Sequence, residues 1–456
     1  MPGLRRSPQL AACLAATAFA LSGCATYRPA PLGDGAAALD PPSAAVLRTQ
    51  SAAIDRPWLT PTTIDLDRPL DANAVAVLAV LRNPDLKAQR AQMGVSDAQA
   101  FAARLLPDPS FSFSYDRLLS GPDDLDQFGS ALAQDLALLR DRKVIAQQNR
   151  AHATQVRLDL AWAEWQTAGA ARLQVVRILA LEEQVALGQA SSADAQSLLT
   201  ASLRASMRGD VTADPVQANR LAALDAADKL RTNQLALATA RGELRRLLGL
   251  PPGMKLMLTD SPAANELLDP ARLFALAQHR RPDLQALRAG YEAQEASVHK
   301  AVLDQFPTLS LGMQGSRDST GNQFLGGAVN FTLPLWNRNR GGIAVEKATR
   351  TALKYEYEAR LAQTRSDITA AVEGIALARH SIEDLSLQIP ALERYAKGAA
   401  NATARGDLSQ ATATTAQQTL RDRQGQLSVA RQALAEQMIA LELLTGAPIT
   451  TWDRDQ

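Results

Sequence analysis

The chain is poor in the residues from which catalytic centres, metal sites and disulfide scaffolds are built. Only two cysteines occur in 456 residues, Cys13 and Cys24, and the four histidines, His152, His279, His299 and His380, are scattered. No Cys/His cluster stands at metal-ligand spacing, and neither a P-loop nor a G-x-S-x-G elbow is present, so an enzyme or a resident-metal reading has no residues to rest on. Aromatic residues make up only 4%, which suits long helices packed side by side better than a compact α/β core. Charge of one sign is also missing: 48 basic residues face 47 acidic ones, and no basic patch interleaved with aromatics is there to recruit nucleic acid. Beyond the first two dozen residues no apolar run approaches the ~20 residues of a membrane-spanning helix, so a membrane crossing would have to be made of β-structure.

The residues that are present set a compartment first. Arg5 and Arg6 precede an apolar run from Leu10 to Leu21, which ends in Leu21-Ser22-Gly23-Cys24. A positive region, a short apolar region and small residues before a cleavage point form a secretory leader over 1–23. The tetrad resembles the lipobox of bacterial lipoproteins, which implies that Cys24 carries a covalent lipid and that no other cofactor is needed. Ala25 follows it; the aspartate that favours inner-membrane retention in lipoproteins is missing, so the outer membrane is expected. Cys13 falls in the removed leader, and no disulfide can form within the mature chain.

Internal repetition is the most informative feature. Pro84-Asp85-Leu86 recurs as Pro282-Asp283-Leu284, an offset of 198, and "PSFSFS" at 109 recurs as "PTLSLG" at 307 with the same offset. Arg140 and Arg142 match Arg338 and Arg340, while Arg208-Gly209-Asp210 meets Arg405-Gly406-Asp407 and Gly249 meets Gly446, both at 197. Anchors in register over so long a stretch mark a tandem duplication, with units at 71–250 and 269–447. The segment 24–70 reads as an extended arm, 251–268 as an inter-repeat linker and 448–456 as a tail.

Each unit reads helix, strand, strand, helix, turn, helix, with the first helix of the second unit running from about Pro270 to Gln305. Leu309, Leu311 and Met313 alternate with Thr308, Ser310 and Gln314, and a return strand sets Leu325, Val329, Phe331 and Leu333 against Gly326, Ala328, Asn330 and Thr332. Phe111, Phe113 and Tyr115 alternate in the same way with Ser110, Ser112 and Ser114. This apolar-out, polar-in dyad is that of a membrane barrel. The stretch "FTLPLWNRNRGG" then marks the barrel rim: Pro334 cannot donate to a ladder, Trp336 suits the interface, and the polar run holding Arg338 and Arg340 lies in water. Beyond it Leu361, Ile368, Ile375, Ile382 and Ile389 recur every seven residues, a coiled-coil seam interrupted by one break signal, Pro390.

With its duplicated halves, strands entered through Pro109 and Pro307, the rim motif "LPLWNRNRGG" and glycine-bearing turns at Gly209 and Gly406, the chain resembles the TolC-like outer-membrane efflux proteins over nearly all its mature length, and the rim is most similar to their heavy-metal cation branch. The resemblance implies a mainly helical protein with membrane β-structure, a homotrimer with twelve barrel strands continued by a long periplasmic α-helical barrel, and a belt formed by 251–268 and the C-terminal tail. It implies a passive exit duct for a tripartite pump, with a periplasmic adaptor and an inner-membrane RND-type transporter as partners and heavy-metal cations as cargo. Multidrug and type I secretion channels share this architecture. A periplasmic adaptor is the alternative from another class, though it would carry one helical hairpin beside lipoyl-like β domains. The resemblance further implies a periplasmic aperture at Asp210, Asp214 and Asp407, with Arg208, Gly209, Arg405 and Gly406 touching the adaptor. Positions 408–414 read "LSQATAT", so a second deep acidic ring is missing. Locally, Gly permits the reversal at each Arg-Gly-Asp and Asp is expected to cap the returning helix.

Anchoring can be checked directly. Cys24→Ala is expected to abolish incorporation of labelled fatty acid and to leave the leader unprocessed, whereas unchanged labelling would show that Cys24 is not the attachment site.

Overall fold

The computed structural model describes residues 27–33, 35, 40–106, 108–123, 125–260 and 269–452; Cys24 and the leader lie outside them. Of the two compact units, the first ends at Pro41 and is described only in short pieces, while the second, from Pro42 onward, holds every helix and strand reported below. That larger unit contains α1 (Ala44–Ala52), α2 (Ala72–Arg82), α3 (Pro84–Ala102), β1 (Ser110–Asp116), β2 (Gln127–Asp135), α4 (Ala137–Met207), α5 (Ala213–Leu247), α6 (Pro270–Arg280), α7 (Pro282–Leu303), β3 (Leu309–Arg317), β4 (Gln323–Phe331), α8 (Arg340–Ala404) and α9 (Gln410–Thr445). No helix is long and apolar enough to cross a membrane among the described residues.

Each duplicated unit thus begins with two helices, and the single helix expected from Pro270 to Gln305 is corrected to α6 and α7. The cause is the residue before proline, whose α conformation clashes with the proline ring: Arg281 sits at ψ 118° and Asn83, its counterpart, at ψ 126°. Asn83 turns the break to use, accepting from Leu86 N at 3.0 Å and donating to the Leu247 carbonyl at 3.0 Å. The two repeated glycines close against these breaks. Gly249 and Gly446 end their helices with φ of 56° and 70°, and a Cβ would meet the Arg82 carbonyl at 2.9 Å in one case and Arg281 Cα at 2.7 Å in the other. Only glycine combines the left-handed turn with so close an approach.

The heptad seam of α8 is present and is richer than the isoleucines alone suggest. Ile368, Ile375 and Ile389 are buried, and Thr364, Ala371, Ala378 and Leu385 fill the interleaved positions, completing an a/d stripe. Lower down it packs on Ala413, Ala416, Leu420 and Leu427 of α9. Pro390 does not end the helix, which runs on to Ala404. At about 1.5 Å per residue α4 and α8 are each about 100 Å long.

From Pro42 on, the segment expected as an extended arm carries α1 and packs into the core. Leu47, Ile54, Leu59, Ile64 and Leu70 join the wholly buried run of α2 in one core with α4 and α5, and Leu70 pairs in parallel with Leu258 of the inter-repeat segment. Glu164 of α4, 1% exposed, ties it down: Arg56 of the arm reaches its two oxygens at 2.5 and 3.1 Å, and Arg90 of α3 approaches at 2.6 Å. Burial pushes the Glu164 carboxyl up, but hydrogen bonds from the two guanidinium groups outweigh it and hold the pKa below the usual glutamate range.

Because the folded pKa is depressed, this cluster stabilises the protein above the unfolded pKa near 4.5 and loses that contribution as pH falls through the folded value. Glu164→Ala strands two partly buried arginines and is expected to cost about 3 kcal/mol in chemical denaturation at neutral pH. The difference from the parent chain should shrink below about pH 4; a pH-independent difference would mean that packing, not charge, is lost.

Candidate functional site

The four strands form one antiparallel sheet in the order β1-β2-β3-β4, so the two repeats meet at β2 and β3. The register places Phe111 opposite Leu132, Leu132 opposite Met313, and Leu311 opposite Val329. One face therefore carries Phe113, Tyr115, Phe128, Leu309, Leu325 and Phe331 together with those residues, while Ser112, Ser114, Ala131, Gln314, Ala328 and Asn330 line the other. The large apolar side chains stand well out of the protein, Phe111 at 69% and Leu325 at 78% exposure. A contiguous face of this kind is far larger than the scattered exposed residues of a soluble surface, and it marks a surface that meets lipid or protein. The return strand of the first repeat takes the same register, and its alternation is weak because the polar Ser130 and Gln134 stand on the face that carries Phe128 and Leu132.

Below β4 the ladder stops as Pro334 requires. The last bond runs from Thr332 N to the Thr308 carbonyl, and Leu333, Leu335 and Trp336 stand exposed, Trp336 at 91%. Arg338 and Asn339 both adopt left-handed φ, 45° and 50°, and Asn339 donates to the Ala301 carbonyl at 2.8 Å, fixing the start of α8 on the end of α7. The exit is abrupt because two consecutive left-handed residues reverse the chain before Arg340 enters the helix. The first repeat makes the same junction without them: Arg140, the counterpart of Arg338, lies within α4, bonded to Asp141 at 2.7 Å and near Asp304 at 3.9 Å.

At the opposite end α4–α5 and α8–α9 turn through matching loops. Gly209 and Gly406 have φ of 82° and 85°. Gly209 N donates to the Ser206 carbonyl and Asp210 N to that of Ala205, and Gly406 and Asp407 repeat the pair on Thr403 and Ala402, which is the two-bond Schellman end of a helix. The expected capping by aspartate is corrected here. Asp210 and Asp407 instead hold their own Arg208 and Arg405 at 2.8 and 2.9 Å, because the loop runs two residues further before each helix begins. Ser409 caps α9, accepting from Thr412 N, and Thr212 precedes α5 without a side-chain cap bond. Asp214 lies exposed in the first turn of α5, where a carboxylate also suits the helix dipole. The structure thus joins Arg208 to Asp210 and Arg405 to Asp407, and places Asp214 in neither pair.

Residues that sequence reading does not single out join the two hairpins above their tips. Arg421 of α9 meets Asp194 of α4 at 2.6 Å, and Gln410 reaches Ser197 at 3.4 Å. The four long helices flank a groove of about 840 Å³ lined in part by Gly188, Ser191, Lys229, Gly374 and Gly425. Glycines inside long helices were its available signal: a Cβ would make only ordinary contact at Gly188 and Gly374 and none at Gly425, so these positions leave space beside the helices. Among the described residues no group of three His, Cys, Asp or Glu is placed to hold a metal ion.

With this geometry in hand, comparison with known proteins is specific. Residues 273–447, the second repeat, match the family described as Outer membrane efflux protein. The CmeC outer membrane channel of Campylobacter jejuni superposes with a TM-score of 0.69 at 16% identity, covering 82% of this chain and 85% of that one. The outer membrane protein VceC of Vibrio cholerae gives 0.67 at 16%, covering 83% and 96%. CusC, described as undergoing folding and transmembrane channel formation, gives 0.66 at 16%, covering 86% and 97%. No curated protein matches the sequence significantly. The chain therefore has the fold of these channels.

The tips give a local prediction. A β-branched residue in the left-handed conformation is strained by roughly 1–2 kcal/mol, so Gly406→Val should raise amide exchange over 400–412 while leaving the α8 seam above Leu385 protected. Unchanged exchange at the tip would show that the left-handed turn is not required.

Proposed function

We propose that the protein is the outer-membrane exit duct of a tripartite efflux system. The observation that carries this is a four-stranded sheet with one exposed apolar face, continued in the same chain by two helices about 100 Å long, each with a returning helix of about half that length. Four strands leave two open edges, which a lipid-exposed sheet cannot tolerate, so closure needs further copies. Three copies would supply twelve strands and a helical barrel below them, in keeping with the resemblance, and the lipid on Cys24 would add a second hold on the outer membrane. The tips would meet a periplasmic adaptor through Arg208, Gly209, Arg405 and Gly406, and through it an inner-membrane RND-type transporter.

Transport is passive in this reading. Heavy-metal cations are the cargo we assign, on the likeness of the rim sequence to that branch. The solved channels resemble the chain to similar degrees, so fold alone does not separate metal from drug export. Asp214, exposed in the first turn of α5, is the carboxylate we place at the cation-attracting aperture, with Asp210 and Asp407 held closer to their arginines. Three copies of each would concentrate negative potential near the axis.

The detergent-extracted protein should have the mass of a trimer and open small conductances in a planar bilayer. Asp214→Asn should lower cation preference and block by multivalent cations without lowering trimer yield. A stable monomer with protected edge-strand amides would overturn the duct, and unchanged selectivity in Asp214→Asn would move the aperture elsewhere.

A further inference from the structure

The polar face of the sheet breaks its own pattern at one position. Pairing runs from Ser114 to Gly129, from Gly129 to Ser316 and from Ser316 to Phe324, so Phe324 stands in a row otherwise made of serine and glycine. The two rows below it hold serine, alanine and glycine apart from Gln314. Among the described strand residues Phe324 is therefore the one large apolar side chain on this face.

Packing does not account for it. On the opposite face Phe113 and Tyr115 each meet Phe128, at centroid distances of 6.3 and 5.3 Å, whereas no ring contact among the described residues involves Phe324. It is 57% exposed, and a phenyl ring left in water forgoes the burial that normally stabilises one. Its direction is nevertheless fixed. Asp318 accepts from Thr320 N at 3.1 Å and from Asn322 N at 2.8 Å, and its own N–H donates to the Asn322 carbonyl at 3.1 Å, closing the β3–β4 turn just before Phe324. Ser319 of that turn donates to Asp123 of the β1–β2 loop at 2.5 Å, which joins the two hairpins at this end. A slip of one residue would exchange the faces of Phe324 and Leu325, so a turn held in this way settles which of them lies on the polar side.

We infer that Phe324 narrows the outer mouth of the duct and sets the size of solute it admits. The inference rests on the multi-copy reading above and deepens it by naming the residue at which the barrel is tightest. Twelve strands spaced about 4.8 Å apart and tilted about 40° enclose a backbone diameter of roughly 24 Å. Serine and glycine leave most of that width open, while three phenyl rings at one level, one from each copy, cut the free width to roughly half. Metal ions and drug-sized molecules pass outward through such a ring, and larger external solutes are held out. An apolar ring carries no charge with which to hold a cation, so it filters by width and leaves charge selection to the aperture.

Thiol labelling from outside intact cells tests this, with the parent chain as the blank for Cys24. Two maleimides are compared, a small charged one and one on a long polyethylene glycol chain. Ala328→Cys lies below Phe324 on the same face and is expected to react with the small reagent alone. Adding Phe324→Ala should admit the long reagent to the same extent, while adding Phe324→Trp should not. Leu325→Cys, on the lipid face, should react with neither. The mass of each variant is measured alongside, and Phe324→Ser, the residue type of its row, replaces Phe324→Ala if that variant does not assemble. If the long reagent labels Ala328→Cys with Phe324 in place, or fails to label it in assembled Phe324→Ala or Phe324→Ser, the constriction is overturned while the duct survives. If Leu325→Cys labels and Ala328→Cys does not, the polar face does not line a pore and the duct reading falls with it.

Discussion

A helix whose apolar residues occupy only two positions in seven buries a narrow stripe, and it cannot stand without a neighbour along its whole length. That constraint organises this protein. α4 and α8 are too long to be served by one partner each, so the chain gives each a sequence of them: α2, α3 and α7 beside the upper part of α4, then α5 and α9 further down. The returning helices α5 and α9 are about half the length of the outgoing ones, and the space they leave beside the upper segments is filled by the short helices that precede each strand pair. The Pro84 and Pro282 breaks let those short helices change direction at the level where α5 and α9 end, and Gly249 and Gly446 seat directly on the breaks.

Much of this was legible before any coordinates. Strand alternation, the 198-residue offset, the turn glycines and the isoleucine seam are all local periodicities, which sequence reports well because a two- or seven-residue repeat needs no knowledge of partners. The breaks at Asn83 and Arg281 were also written in the sequence, since the residue before proline avoids the α conformation, but the unbroken apolar pattern on both sides masked them. Pro390 gave the opposite error signal. There the seam residues Leu385, Ile389 and Ala396 continue packing through the missing donor, and tertiary burial outweighs one lost bond.

The candidate site was legible to a smaller extent. Pairing of Arg208 with Asp210 is a contact across a glycine in left-handed conformation, and sequence alone cannot distinguish it from an aspartate capping the next helix, because both place Asp one residue after Gly. The capping role went instead to Ser409, two residues further. Long-range polar contacts such as Arg56 to Glu164 and Arg421 to Asp194 had no local signature at all. They depend on which helices become neighbours, and an acidic residue on a solvated face looks the same in sequence as one buried between two arginines.

Duplication has a further physical consequence that depends on where the repeats join. β2 and β3 pair within one chain, so the contact between repeat one and repeat two is covalently linked, and beside it Arg281 stacks over Trp162 next to the buried Asp283. In the multi-copy reading proposed above, the reverse contact, repeat two to repeat one, would have no linker and would be specified by surface alone. Small exposed residues on α3 and mixed charges on upper α8 would suit such a contact, since a strongly apolar stripe would drive unspecific association. The same sequence unit therefore presents a packed helix in one position, α7, which buries Ala286, Ala289, Gly290 and Ala296 among others, and a thinly covered one in the other, α3, which buries Leu86 and Ser96.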